Sequence, residues 1–88
     1  MAKYRKRPIE VSAWQYRDSD DCREALRNLG VLLNQHPHEA SIGIWNIKEE
    51  CWVRCPPGHW VIRGVAGEFY PCEPEVFAAT YESVEETA

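Results

Sequence analysis

Two groups of side chains in this 88-residue chain have the types and spacing to do chemistry: thiols near an imidazole, and a charged and phenolic group in the last third. Cys51, Cys55 and His59 follow a C-x3-C-x3-H spacing, which brings together the residue types of a zinc site. Structural zinc sites draw on close-spaced pairs of ligands, with a second pair to complete four, and here Cys22 and Cys72 each stand alone. Cys51 and Cys55 also alternate with Trp52 and Val53 as they would in a strand. Reduced cysteines acting as small hydrophobes are therefore expected, with no metal and no cofactor, and Cys51, Cys55 and His59 stand as weak metal candidates. A Cys55–His59 nucleophile and base would have to meet across Pro56-Pro57-Gly58.

Arg63, Glu68 and Tyr70 belong to a stretch that reads as turn, strand, tight turn, strand and stop, from Cys55 to Cys72. Pro57-Gly58 suits a type II turn, proline setting φ and glycine accepting positive φ. Trp60 to Val65 is β-rich, Ala66-Gly67 can reverse the chain as a two-residue loop, and Pro71 ends the pairing for want of an N–H. That loop sets Arg63 opposite Tyr70 and Val65 opposite Glu68. Trp60, Ile62 and Phe69 then share a core-like face, while Val61, Arg63, Val65, Glu68, Tyr70 and Cys72 share the other. A cation, an acid and a phenol within cross-strand reach would suit a small polar ligand or a partner backbone. The plainer reading is a surface ion pair, worth about 0–1 kcal/mol, beside a half-buried tyrosine. A bulge at Gly67 would shift the register and rearrange both faces.

The elements that position these groups follow from the pattern of the chain. Pro8 to Tyr16 alternates as a first strand, with Ile9, Val11 and Ala13 on one side and Glu10, Ser12, Trp14 and Tyr16 on the other. Trp14 either covers a second small cluster or recognises a partner. Asp18 to Asp21 is a helix-start cluster, with Asp21 and Glu24 at capping-box spacing. An apolar stripe follows through Cys22, Ala25, Leu26, Leu29, Leu32 and Leu33, against a wet side of Asp20, Arg23, Glu24, Arg27 and Asn28. Gly30 can end that helix, with Val31 to Leu33 packing as an extension. Asn34 to Ala40 reads as a polar loop with solvated His36 and His38, then Ser41 to Ile47 and Cys51 to Cys55 as two strands turning at Lys48-Glu49-Glu50. Pro74 opens a short helix with Phe77 and Tyr81 on one face, and Thr80 to Val84 reads as a last strand before a frayed end. The expectation is an α+β fold in one small domain, 1–88. Its mainly antiparallel sheet has about five to six strands, with one amphipathic helix packed on it and a short C-terminal helix.

Composition narrows the function classes. A hydrophobic fraction of 44 % with four tryptophans is enough to fold without staples. No apolar run approaches the roughly 20 residues of a membrane span, and no apolar segment follows the basic start, so a cytoplasmic protein is expected. The net charge of −4 is uneven: Lys3, Arg5, Lys6 and Arg7 crowd the start, while from Ala66 onward there are six acids and no lysine or arginine. Four cations on an acidic protein argue against a nucleic-acid partner. The basic strand lying beside an acidic C-terminal strand accounts for them better. The chain has no phosphate loop, HExxH or GxSxG motif, and its acids sit at surface-type positions, so a non-enzymatic role is expected.

Two segments carry a resemblance. Tyr4 to Tyr16, YRKRPIEVSAWQY, resembles the opening of a family of small phage and prophage proteins, which begin with a YRKKP-like segment and a strand ending near Gln-Trp. Pro57 to Glu82, PGHWVIRGVAGEFYPCEPEVFAATYE, resembles their closing PGDW/Y turn and IIKGVKGEFYPCKP motif. His59 replaces an acid common there and Glu73 a lysine, and the middle, with Trp45 and Trp52, diverges. The resemblance implies a phage accessory protein in a bacterial host's cytoplasm, not a reaction. The first functional expectation is stoichiometric binding that inhibits or sequesters a host protein, through Arg63, Glu68, Tyr70 and exposed aromatics. A second is a sponge for a nucleotide-type signal, with Arg63, Lys3 or Arg5 on phosphate and Trp14 or Tyr70 stacked on a base. A third is a structural protein that assembles as a homo-oligomer through an open strand edge.

Overall fold

The computed structural model describes residues 1–5 and 7–84; Lys6 and the terminal acids Glu85 and Glu86 lie outside them. Among the described residues, six strands and two helices follow one another as β1 (Ser12–Gln15), α1 (Asp20–Asn28), β2 (Leu33–Gln35), β3 (Ile42–Asn46), β4 (Cys51–Cys55), β5 (Trp60–Arg63), β6 (Phe69–Cys72) and α2 (Pro74–Thr80). The fold is α+β. Its strands form two three-stranded antiparallel sheets, ordered β1-β5-β6 and β2-β3-β4, where a single mainly antiparallel sheet was expected.

The main core lies between the sheets, with α1 along it. Tyr16, Leu26, Val31, Ile42, Ile44, Cys55 and Val61 are its buried members, and Trp14, Cys22, Leu33 and Phe69 pack against them. Period-2 alternation explains the set. Leu33, Ile44 and Val53 stand in register across the second sheet, as do Ile42 and Cys55, so one face is apolar. The other face of that sheet carries Trp45 and Trp52, paired edge to face with ring centres 5.3 Å apart. Full burial of a residue such as Ile42 or Ile44 contributes about 1.5–3 kcal/mol.

Helix α1 is capped by Ser19, two residues before the expected cap. Ser19 Oγ accepts from the Cys22 N–H at 3.1 Å, and Asp20 and Asp21 occupy the first turn, where their charge suits the helix dipole. The end matches the glycine expectation. Gly30 takes φ +99°, the Val31 N–H reaches the Leu26 carbonyl at 3.1 Å, and both side chains join the core. The buried face is shifted, however. Leu29 and Leu32 are exposed, whereas Arg23, assigned to the wet side, is 7 % exposed. Its guanidinium is drawn in by Asp18 (2.9 Å), Asp20 (2.6 Å) and the Tyr16 hydroxyl (3.2 Å). These acceptors, Asp20 first, hold the Arg23 proton more firmly than usual, and Arg23 in turn lowers the Asp20 carboxyl.

Two boundary expectations are corrected. Leu33 to Gln35, read as helix extension and polar loop, form an edge strand because the β3 backbone offers them a ladder. Asn34 Oδ1 also accepts the Gly43 N–H at 3.0 Å, where a side chain at 43 would collide with it. The strand expected at 80–84 does not form. Tyr81 is extended but its ring stacks on Phe77 at 5.2 Å, and β6, which Pro71 deprives of a donor, is a poor template. The basic start therefore lies beside no acidic strand; β1 pairs with β5, and among the described residues no ion pair joins Lys3, Arg5 or Arg7 to an acid.

Tyr16→Phe removes the hydroxyl that donates to the Ala40 carbonyl at 2.9 Å and accepts from Arg23, whose guanidinium keeps Asp18 and Asp20. A loss of about 0.5–1.5 kcal/mol is expected, read as a lower urea midpoint at unchanged slope. A midpoint equal to that of the wild type would show the bond to be worth nothing.

Candidate functional site

The tight turn after β5 decides what the site contains. The Gly67 N–H bonds the Gly64 carbonyl at 3.0 Å, the Gly64 N–H bonds the Glu68 carbonyl at 2.7 Å, and Gly67 takes φ +85°. This is a three-residue loop, Val65 to Gly67, with a glycine in the left-handed position, not the expected two-residue Ala66-Gly67 loop. The register moves by one. Arg63 stands opposite Phe69, Ile62 opposite Tyr70 and Trp60 opposite Cys72. Because strand side chains alternate, that single step exchanges faces. Phe69 joins Val61, Trp14 and the main core, while Tyr70 and Cys72 join Trp60 and Ile62.

The expected trio therefore separates. Glu68 and Tyr70 remain together; Arg63 is exposed on the opposite side. Trp14 is partly buried and packs against the main core, and Arg5 is exposed outside any regular element. Sequence reasoning overlooked Tyr81 as a site residue, although its helical spacing from Phe77 was the available signal. Trp60, Phe77 and Tyr81 stack in series, with ring centres 4.2 and 5.2 Å apart, and this stack carries α2 onto the outer face of the first sheet.

Ile9, Val11, Gly64, Val65, Glu68, Tyr70 and Tyr81 line a cavity of about 130 Å³. Ile9 and Val11 point there for the same reason that Ala13 was expected beside them, since alternate residues share a face. The Glu68 side chain is 9 % exposed, and its Oε2 has no hydrogen-bond partner. A carboxylate so placed is costly unless something pairs with it. Gly64 makes the placement feasible, because a Cβ there would overlap Glu68 Oε1. Burial pushes the Tyr70 phenol up to about 12, with Tyr81, Glu68 and Cys72 adding to the shift, so Tyr70 is a donor across the physiological range. The arrangement offers one acid oxygen and two phenols around an open space.

The thiols form no comparable group. Cys51 is exposed and Cys55 buried at opposite ends of β4, about 13 Å apart at 3.3 Å per residue, too far to share one metal ion. Among the described residues no three His, Cys, Asp or Glu side chains cluster as a metal site. Burial, with a smaller effect of Cys22, raises the Cys55 thiol to about 12, which makes it a poor nucleophile. His59 lies in a larger groove of about 300 Å³ with Arg54 and Glu73, and its Nδ1 is buried without a partner. Arg54 in that groove is already engaged by Glu39 at 2.6 Å. An unpaired carboxylate oxygen costs more to bury than an unpaired ring nitrogen, so the Glu68 cavity is the stronger candidate.

Gly64→Ala is expected to displace the Glu68 carboxyl while changing stability by no more than about 1 kcal/mol, because only the end of a flexible side chain has to move. The side-chain carboxyl resonance of Glu68 reports this; an unmoved resonance in a folded variant contradicts the placement. Cys55 and Tyr70 set the response to alkali. Both keep their protons when folded, whereas an unfolded thiol ionises near pH ~8.5 and a phenol near ~10. Their stabilisation is full below about pH 8.5 and is lost as the pH rises toward about 12. The urea midpoint is expected to fall between about pH 9 and 11, and less steeply in Cys55→Ala/Tyr70→Phe; equal slopes refute the assignment.

No protein-family model matches the chain, and neither the curated proteins nor the solved structures include a match to it.

Proposed function

We propose that the chain is a small accessory binding protein of the phage type, acting in a bacterial host's cytoplasm by stoichiometric binding that inhibits or sequesters a host protein. The observation that carries this reading is Glu68, a nine-tenths-buried residue that lines a cavity, its Oε2 buried without a partner. Such a group is costly in the free protein, and a ligand that pairs with it recovers that cost on binding. Binding rather than catalysis fits the thiols, since the buried Cys55 is raised out of the range of a useful nucleophile. The outer face of the β2-β3-β4 sheet adds a surface of the kind partners use, with Trp52 about half exposed beside Trp45. No helix among the described residues is long and apolar enough to cross a membrane.

The charge of the cavity weighs against a nucleotide sponge. Its lining includes an acid, which repels phosphate, and no arginine, Arg63 standing on the other face of the sheet. Native mass spectrometry of the protein purified gently from its bacterial host distinguishes the readings. A 1:1 complex with one host polypeptide is expected, lost in Gly64→Ala. A retained mass in the nucleotide range, or a homo-oligomer without a second polypeptide, overturns the proposal in favour of a sponge or an assembly protein.

A further inference from the structure

Glu68 presents a charge that the described residues do not balance. Among the described residues, no lysine or arginine lines its cavity, and the three ion pairs present all lie elsewhere, on Arg23 and Arg54. Arg5 and Arg7 belong to the segment that supplies Ile9 and Val11 to the cavity wall, yet both are exposed. Tyr70 and Tyr81 line the same cavity and contribute phenol side chains to it. An acid oxygen with aromatic faces around it is the combination that holds an organic cation, through a charge-assisted hydrogen bond and through the negative face of the rings.

Size narrows the class. A cavity of about 130 Å³ has the volume of about four waters at ~30 Å³ each, enough for a guanidinium or for an ammonium with a short alkyl stem. It cannot enclose a nucleotide or a peptide. Only the tip of a larger molecule enters. Ile9, Val11 and Val65 give apolar walls, which suit the methylene stem behind a lysine or arginine head group.

We infer that the Glu68 cavity is a receptor for a single cationic side chain, lysine or arginine, projected by the bound partner protein. This rests on the reading of the chain as a binding protein, and it names the feature of the partner that the site selects. The cation supplies the partner that the Glu68 carboxyl lacks, beside the phenols of Tyr70 and Tyr81 that line the same cavity. A neutral or acidic side chain at the same place leaves the carboxylate unpaired and is rejected.

The test uses small probes and so does not depend on the host partner. Methylguanidinium and n-butylammonium are titrated into the full chain at constant ionic strength, with n-butanol as the neutral control, and the amide resonances of Gly64, Val65 and Gly67 are followed. Saturable shifts with the cations, about tenfold weaker or absent in Glu68→Gln, are expected. The Tm of Glu68→Gln should equal or exceed that of the wild type, because the variant keeps the shape and removes an uncompensated buried charge. Should Glu68→Gln fold poorly, Gly64→Ala serves the same purpose by displacing the carboxylate. Shifts of equal size with n-butanol, or cation shifts that persist unchanged in both variants, overturn the inference. The outcome separates from that of the broader reading. A host complex that forms with full affinity in Glu68→Gln refutes the cation receptor and leaves the binding function standing. Cation binding without any host complex does the reverse.

Discussion

Tyr16 is the residue on which the two sheets, the first helix and the central loop all depend. Its ring is fully buried, its hydroxyl donates to the Ala40 carbonyl and accepts from Arg23, and its own N–H and carbonyl bond His59 and Gly58. One residue thus fastens the end of β1 to the helix, to the loop before β3 and to the turn before β5. The arrangement is demanding, because it brings a guanidinium to a nearly buried position. Asp18 and Asp20 neutralise that charge from the chain that leads into α1. The helix is short, and its place is set by this polar anchor together with Leu26 and the Gly30 ending more than by a long apolar stripe.

A second constraint acts at the other end of the first sheet. The loop from Val65 to Gly67 contains one residue more than the shortest reversal, and in a sheet one residue is the difference between two faces. Phe69 consequently fills the main core while Tyr70 turns toward the C-terminal helix. Gly64 leaves space for Glu68, and Glu68 faces the cavity that Tyr70 and Tyr81 help to line. The candidate site is therefore a product of loop length and one absent Cβ, not of a recognisable catalytic spacing.

The outer face of the same sheet would be exposed without α2. The stack Trp60–Phe77–Tyr81 supplies a second, smaller apolar cluster, beneath which Ile62 is fully buried. Its residues are aromatic and few, which lets a seven-residue helix cover the sheet with little backbone contact.

Much of this was legible in the residues. Pro57-Gly58 makes the turn expected of it, with Gly58 at φ +90° and the His59 N–H on the Pro56 carbonyl; Pro74 opens its helix; Phe77 and Tyr81 share a face; Cys55 is a buried hydrophobe. These are local effects, fixed by the conformational limits of proline and glycine and by side-chain period. The burial of Arg23, the edge strand at Leu33 to Gln35, the missing strand after α2 and the separation of Arg63 from Glu68 were decided only by the tertiary structure. Each depends on which group the folded chain sets beside it: the Tyr16 hydroxyl for Arg23, the β3 backbone for Leu33 to Gln35, the Phe77 ring for Tyr81, and strand register for Arg63. Composition and spacing carry information about what a residue can do on its own. Which neighbour satisfies a buried charge or an open backbone edge is set when the chain closes on itself.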